Sequence, residues 1–258
     1  MEKYLNKKIV VTGSAAGVGQ IIAIDFAQEG AYVILVDLKK PEKTIELIAQ
    51  NGGKADFVIC DISNEEQVIE MAAHVKGLCG GKIDILINNA GCNGKVNLVK
   101  DMKLSDWQFT LGINLTGTMM VTRELIPFLI ENKEGKIVNI ASNVARRGLP
   151  YRSDYVCSKW ALLGLTQTLA LELVGNNIRV NAVCPGPIEG DRIEQIVQMH
   201  AEVEKMSVED MHKAWENVPM KRFVKPGEVS SVVRFLCSEE SSAMTGQALN
   251  VTGGFIMT

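Results

Sequence analysis

Apolar positions along this chain fall into short continuous runs, and between them lie segments where apolar residues recur at helical spacing. Residues 8–12 form a β-branched run that meets Gly13, Gly17 and Gly19, after which Ile22, Ile24, Phe26 and Ala27 follow a helical period. That order predicts strand, tight turn and helix. Gly30 closes the helix and 32–36 reads as a second apolar strand ending at Asp37, a βαβ unit of roughly the usual 30 residues. The pattern then repeats, with helices over 42–50, 65–78, 105–131, 154–174 and 226–236 and strands over 55–59, 83–87, 136–140, 178–183 and 248–251. Strands that are apolar throughout and flanked by helices belong to a buried parallel sheet. The expectation is an α/β fold with a doubly wound parallel sheet of about seven strands and helices on both faces, with ligands at the carboxyl ends of the strands.

One stretch breaks the rhythm. Residues 185–225 hold Pro185, Pro187, Pro219 and two short amphipathic segments, the composition of a lid or binding loop and not of a second domain. A length of 258 residues is close to the point where single cores stop growing, so one domain over 1–258 is expected. Apolar residues make up 47% and charged residues 22%, which excludes disordered, collagen-like and coiled-coil classes. Lys plus Arg number 27 against 30 for Asp plus Glu, without a block of like charge, which argues against a nucleic-acid or anionic-membrane partner. No run approaches the roughly 20 apolar residues of a spanning helix, and the first residues lack a signal-peptide core. A cytoplasmic location is therefore expected. Six cysteines without a CxxC pair read as reduced core or pocket residues, and His74, His200 and His212 are too scattered to suggest a metal site.

Chemistry concentrates in three places. The turn Thr12-Gly13-Ser14-Ala15-Ala16-Gly17-Val18-Gly19 lets backbone N–H groups approach a pyrophosphate at the positive end of a helix, which makes Gly13, Ser14, Ala16, Gly17, Val18 and Gly19 candidates for cofactor contact. Asp37 and the adjoining Leu38 stand at the end of the second strand, where a carboxylate hydrogen-bonds an adenosine ribose and repels a 2′-phosphate; this favours NAD over NADP. Tyr155 and Lys159 lie four apart on one helix, so the ammonium lowers the phenol pKa toward a value useful in proton transfer. Ser142 sits at the carboxyl end of the fifth strand, where its hydroxyl could hold a substrate oxygen.

In this order the motifs resemble the short-chain dehydrogenase/reductase family essentially from end to end. Besides TGSAAGVG and YVCSK, the chain carries Asn88-Asn89-Ala90-Gly91, Asn114, Ile178-Arg179-Val180-Asn181-Ala182-Val183 and Pro185-Gly186. The resemblance implies a Rossmann-like fold and an oxidoreductase in which Tyr155 is the general acid/base. Lys159 would tune Tyr155 and bind the nicotinamide ribose, Ser142 would orient the substrate oxygen, and Asn114 would hold a water in the proton relay. It also implies adenine contacts from Asp61 and Ile62, a cofactor wall from Asn89, Ala90 and Gly91, and nicotinamide contacts from Pro185, Gly186 and Ile188. A homotetramer built through the long helices is a further implication. Where many relatives have a threonine after PGxI, this chain has Gly190, which puts details of the lid in doubt.

The substrate is less legible. Arg146, Arg147 and Arg152 lie between the serine and the catalytic helix, and Arg192 lies in the lid. They could form a fork for an anionic substrate group, or pair as surface residues with Asp154, Glu189 or Glu194. The leading expectation is NAD-dependent interconversion of a secondary alcohol and a ketone. Reduction of a 3-oxoacyl thioester, a non-catalytic dinucleotide-binding regulator, and an epimerase or dehydratase using bound NAD are the alternatives.

Overall fold

The structure is a computed structural model and describes residues 3–257. Strand β1 (Lys8–Thr12) leads through α1 (Gly17–Gln28), β2 (Tyr32–Asp37), α2 (Glu42–Gln50), β3 (Lys54–Ile59) and α3 (Glu65–Cys79) to β4 (Ile85–Asn88). Helix α4 (Leu104–Leu111) passes through a π-helical turn (Gly112–Gly117) into α5 (Thr118–Glu131). Then come β5 (Gly135–Ile140), α6 (Ser153–Leu173), β6 (Ile178–Pro185), α7 (Asp191–Glu204), α8 (Val208–Glu216), α9 (Pro226–Cys237) and β7 (Ala248–Val251). Among the described residues the strands form one seven-stranded sheet in the order β3-β2-β1-β4-β5-β6-β7, every neighbouring pair parallel. The chain reverses its direction of travel across the sheet between β1 and β4. That switch point opens a crevice at the carboxyl ends of the strands.

The period of two within each continuous apolar strand divides the core. Val10, Ile34, Leu86, Ile137 and Val180 face α3, α5 and α6, while Ile9, Val11, Leu35, Ile87 and Val138 face α1 and α9. A polar bridge is buried at the centre. Asn88 donates to Asn139 Oδ1 and Thr122 Oγ1, each at 2.9 Å, and Asn139 donates to Thr166 Oγ1 at 2.9 Å, tying β4 and β5 to α5 and α6.

Two expectations need correcting. Strand β3 is not apolar and buried throughout: it lies at the sheet edge with Phe57 and Ile59 exposed, because an edge strand has a neighbouring strand on one side only. The helix expected over 105–131 is interrupted at its middle by the π-helical turn, an insertion that changes the facing of residues on either side.

Gly19 explains how α1 can sit so close to the turn. A Cβ there would lie 2.1 Å from the Gly13 carbonyl oxygen and 2.3 Å from Asn89 Nδ2. The first obstacle is backbone and cannot swing aside. Gly19→Ala should therefore cost about 2 kcal/mol and lower Tm by roughly 5 °C, whereas Gly77→Ala, in α3 with open space around it, should be neutral or stabilising by under about 1 kcal/mol. Thermal denaturation of the two variants compares them directly.

Candidate active site

At the switch point the glycine-rich turn is held by its neighbours. Thr12 Oγ1 accepts the N–H groups of Asn89 and Ala90, both at 3.0 Å, and Asn89 Nδ2 donates to the carbonyls of Thr12 (3.0 Å) and Gly13 (2.8 Å). Gly13 adopts a φ of 66° with its Cα face 2.7 Å, at Cβ distance, from the Ala90 backbone, so only glycine fits. Ala16 precedes α1 with no side-chain cap. The first-turn N–H groups of α1 are thus not spent on a cap, and they add to the positive end of the helix macrodipole. Gly13, Ala16, Gly17 and Val18 line one end of a cavity of about 440 Å³, which runs past Asn89, Ala90 and Gly91 to Ser142, Tyr155 and Lys159 and on to Pro185, Gly186 and Ile188.

Several candidates sit elsewhere. Ser14 is fully buried with its hydroxyl on the Val36 carbonyl, and Gly19 is buried against the turn; both shape the turn from behind and do not line the cavity. Asp37, Leu38, Asp61 and Ile62 also lie outside the cavity lining. Asp37 accepts the Ala15 N–H at 2.8 Å and the Lys39 N–H at 3.2 Å, so its carboxylate is pinned to the turn. Leu38 is exposed, Ile62 is buried, and Asp61 folds back onto the Ser63 N–H (2.9 Å) and hydroxyl (2.7 Å).

Helix α6 presents Tyr155 and Lys159 one turn apart toward the end of β5. The Lys159 ammonium donates to the Ile140 carbonyl at 2.8 Å and stands 5.8 Å from the Tyr155 ring centre. Ser142, two residues past the end of β5, donates its hydroxyl to Asn143 Oδ1 at 3.1 Å and accepts the Val144 N–H at 3.4 Å. Burial alone would push the Tyr155 pKa up, but Lys159, Arg192, Arg152 and the nearby Ser142 hydroxyl together outweigh it and hold the phenol below its ordinary value. Lys159 is shifted down as well, chiefly by burial. Asn114, in the π-helical turn, is fully buried and does not line the cavity. Its side chain accepts the Cys92 N–H at 2.8 Å and donates to the Cys92 carbonyl and Ser158 Oγ, each at 3.1 Å. The side chain is a clamp on the segment after Gly91, with both N–H groups engaged and one Oδ1 lone pair accepting the Cys92 N–H.

The arginines separate into two pairs. Arg146 donates to the Ala248 carbonyl at 2.7 Å and Arg147 stacks on Phe255 at 4.3 Å; neither lines the cavity. Arg152 and Arg192 do line it. None of the four pairs with Asp154, Glu189 or Glu194 as a surface arginine would: among the described residues, the arginine ion pairs are those of Arg123, Arg222 and Arg234. Asp154 is instead buried on Thr110 Oγ1 at 2.7 Å. Of the cysteines, Cys157 is exposed and not a core residue, and Trp160 is half exposed and not packed in the body. Asn93 and Leu149 line the cavity, as does Trp215, which no sequence signal marks. Trp215 lies in an amphipathic segment far along the chain, and its place against the site depends on how the lid folds back.

The comparisons with known proteins agree with this geometry. The family profile described as enoyl-(acyl carrier protein) reductase matches residues 13–256. The 3-oxoacyl-(acyl-carrier-protein) reductase FabG of Thermotoga maritima is 38% identical over 253 residues, covering 97% of this chain and 98% of its own. The structure of an NAD+-bound xylitol dehydrogenase matches with a TM-score of 0.94 at 35% identity, covering 98% of this chain and all of the other. That of an actinorhodin polyketide ketoreductase with NADPH matches at 0.92 and 31%, covering 97% of each. The chain belongs to the short-chain dehydrogenase/reductase family.

Within the short-chain dehydrogenase/reductase framework the segment 185–225 has a local peculiarity. Gly190 takes φ 129° and ψ 177° just before α7, a region open essentially to glycine, so the side chain that many relatives carry there would be strained in this backbone. Helices α7 and α8 enclose a small core of Ile193, Val197, Ala201, Met211 and Phe223. Parallel bridging of Ile188 to Val224 and hydrogen bonds between the Pro187–Glu189 segment and Val224 join this unit to the sheet.

The cation-rich setting of Tyr155 has a spectroscopic consequence. The tyrosinate difference spectrum between the protein and Tyr155→Phe should show one phenol titrating below 10, the ordinary tyrosine value. Lys159→Met should move that inflection upward, because it removes the leading cation and leaves the burial. A Tyr155 inflection at or above 10 in the unaltered protein would contradict the electrostatics described.

Proposed function

We propose that this chain interconverts a secondary alcohol and a ketone with NAD as cofactor, Tyr155 being the general acid/base. The observation that carries the reading is the Ser142, Tyr155 and Lys159 cluster, its phenol held below the ordinary pKa, in one cavity with the glycine-rich turn. The residues present fit a dinucleotide. The uncapped first turn of α1 suits a pyrophosphate, and the close backbone at Gly13 and Gly91, where a Cβ would come 2.9 Å from Asn114 Oδ1, leaves a smooth wall for the nicotinamide end. When bound, the dinucleotide supplies or accepts the hydride.

The chain's own groups handle the proton. In alcohol oxidation the Tyr155 phenolate takes the hydroxyl proton, and in ketone reduction the phenol returns it. Lys159, fixed on the Ile140 carbonyl, stabilises the phenolate without itself exchanging place, and the Ser142 hydroxyl holds the substrate oxygen. Asn114 acts as a positioning residue through its clamp on Cys92. Asp37 supports NAD over NADP, since a carboxylate pinned at the end of β2 opposes a 2′-phosphate; structurally similar proteins include both an NAD+ complex and an NADPH complex. A 3-oxoacyl thioester substrate is the second reading, favoured by the name of the Thermotoga relative.

We further propose one domain with 185–225 as the substrate lid, and a cytoplasmic homotetramer. Support for the tetramer is the exposure of Phe109, Trp160 and Leu171 on α4 and α6, an apolar face that a second copy would cover.

Absorbance of NADH and NADPH across a panel of ketones, sugars, keto acids and 3-oxoacyl thioesters tests the reading. A selective carbonyl substrate is expected, with Tyr155→Phe lowering turnover by about a thousandfold or more while NADH affinity stays within about threefold. Turnover retained in Tyr155→Phe would remove it as the acid/base. Asp37→Asn keeps an acceptor for the Ala15 N–H but removes the charge, and should lower the NAD to NADP ratio of kcat/KM by about tenfold.

A further inference from the structure

The cavity contains a positive charge that the proton chemistry does not account for. Arg152 is 1% exposed, lies with its guanidinium 4.8 Å from the Tyr155 ring centre, and donates through Nη2 to the Asn93 carbonyl at 2.5 Å. Its Nε has no partner. Arg192, on the first turn of α7, donates through Nε to Asn93 Oδ1. One residue, Asn93, therefore pins two guanidinium groups at the same end of the cavity through its two oxygens.

No carboxylate balances them. Neither arginine has an ion-pair partner among the described residues. Asp154 is occupied by Thr110 and by the Lys95 and Tyr155 N–H groups. Glu189 and Asp191 border the cavity but stand outside ion-pair distance of both. Burial holds Arg152 below the ordinary guanidinium pKa, opposed by Tyr155 and Asp154 and reinforced by repulsion from Arg192. An unpaired buried charge of this kind is costly unless a ligand completes it. The loop is also fixed in advance: Tyr151 adopts a left-handed φ of 65°, and its carbonyl accepts the Asn97 N–H at 2.9 Å.

We infer that Arg152 and Arg192 bind an oxyanionic group of the substrate, so that the natural substrate is a short ketone or alcohol carrying a carboxylate, sulfonate or phosphate a few bonds from the reacting carbon. The inference rests on the oxidoreductase reading above and adds the substrate class. Arg152 lies against the ring of Tyr155, so an anion on its free N–H groups would fix the carbonyl end of a short chain near the phenol. Arg192 enters from the lid, so the same anion would draw α7 onto the cavity.

Matched pairs of substrates separate the charge from the rest. The enzyme with saturating NADH is compared on 3-oxobutanoate and its methyl ester, on dihydroxyacetone phosphate and dihydroxyacetone, and on 2-oxopropanesulfonate and its methyl ester. For one pair, kcat/KM should favour the anion by about thirtyfold or more, the scale of hydrogen bonds to a charged group. Arg152→Met should abolish most of that ratio, mainly through KM, and Arg152→Lys should restore part of it. Arg192→Gln, at an exposed position, supplies the same comparison if Arg152→Met does not fold, with NADH affinity as the check on integrity. Turnover of neutral ketones with no anionic preference, or a preference unchanged in both variants, overturns the inference and leaves hydride transfer standing. If no carbonyl is turned over at all, the oxidoreductase reading fails instead, and calorimetric titration of the NAD complex with 3-oxobutanoate, 2-oxopropanesulfonate and dihydroxyacetone phosphate decides the arginine pair. Saturable binding of at least one, lost in Arg152→Met, would sustain it, and no saturable binding of any to the unaltered protein would overturn it.

Discussion

A half-buried phenol beside a buried ammonium governs the rest of this cleft. Burial by itself makes both groups resist ionisation: it raises the Tyr155 pKa and lowers that of Lys159. The two effects are relieved together, because the phenolate and the ammonium stabilise each other at close range in a medium where charge is weakly screened. The pair must be held without slack for this to work. The Ile140 carbonyl takes the Lys159 ammonium at 2.8 Å, placing the cation at the end of a central strand and not on a mobile loop. Helix α6 is therefore registered against the sheet by the same atom that carries the charge.

The remainder of the site keeps that register. Thr12 and Asn89 lock the end of β1 to the segment after β4, so the cofactor side of the cleft is braced by hydrogen bonds across the switch point. On the other side the Asn114 side chain grips the Cys92 main chain and Ser158, which joins the segment after β4 to α6. The π-helical turn is what points Asn114 inward. A regular helix over the same residues would rotate that side chain relative to α5, and the clamp would be lost. The Asn88 and Asn139 bridge, buried and fully engaged on its donor side, makes the two central strands indifferent to neither register nor spacing.

The scaffold was readable in the sequence because it depends on period and punctuation. Continuous apolar runs at 9–11 and 32–36 leave no polar face to expose, so they predict a sheet covered on both sides. The glycines at 13, 17 and 19 mark the turn because the turn has no room for anything else. The reading was weaker where a residue type is right but the direction of its side chain decides. Ser14 is in the motif yet points away from the cavity, and Asn114 is in the right segment yet spends its side chain on the backbone. Strand β3 fits the run of a strand, but how much of it stays exposed depends on its place at the edge, which no local pattern encodes. The interruption of the long helix is equally silent, since residues 112–117 contain nothing that forbids an α-helix.

The arginines show the same boundary from the functional side. Four of them near the catalytic loop and lid were open to a common explanation, that surface arginines pair with surface acids. Sequence distance cannot separate them, because Arg146, Arg147 and Arg152 share one loop while Arg192 comes from the lid. In three dimensions the division falls elsewhere. Arg146 and Arg147 turn toward Ala248 and Phe255, whereas Arg152 and Arg192 meet at Asn93. Two cations gathered on one neutral residue are repelled by each other, and among the described residues no carboxylate forms an ion pair with either. In a phenol-based site that repulsion has a use: positive charge that lowers the Tyr155 pKa also waits for a counter-ion. A substrate anion arriving there would partly neutralise the field on the phenol and raise its pKa, so the protonated form needed for carbonyl reduction is favoured when substrate is in place. With an anionic substrate of the kind proposed, recognition and proton supply would be coupled through one set of charges.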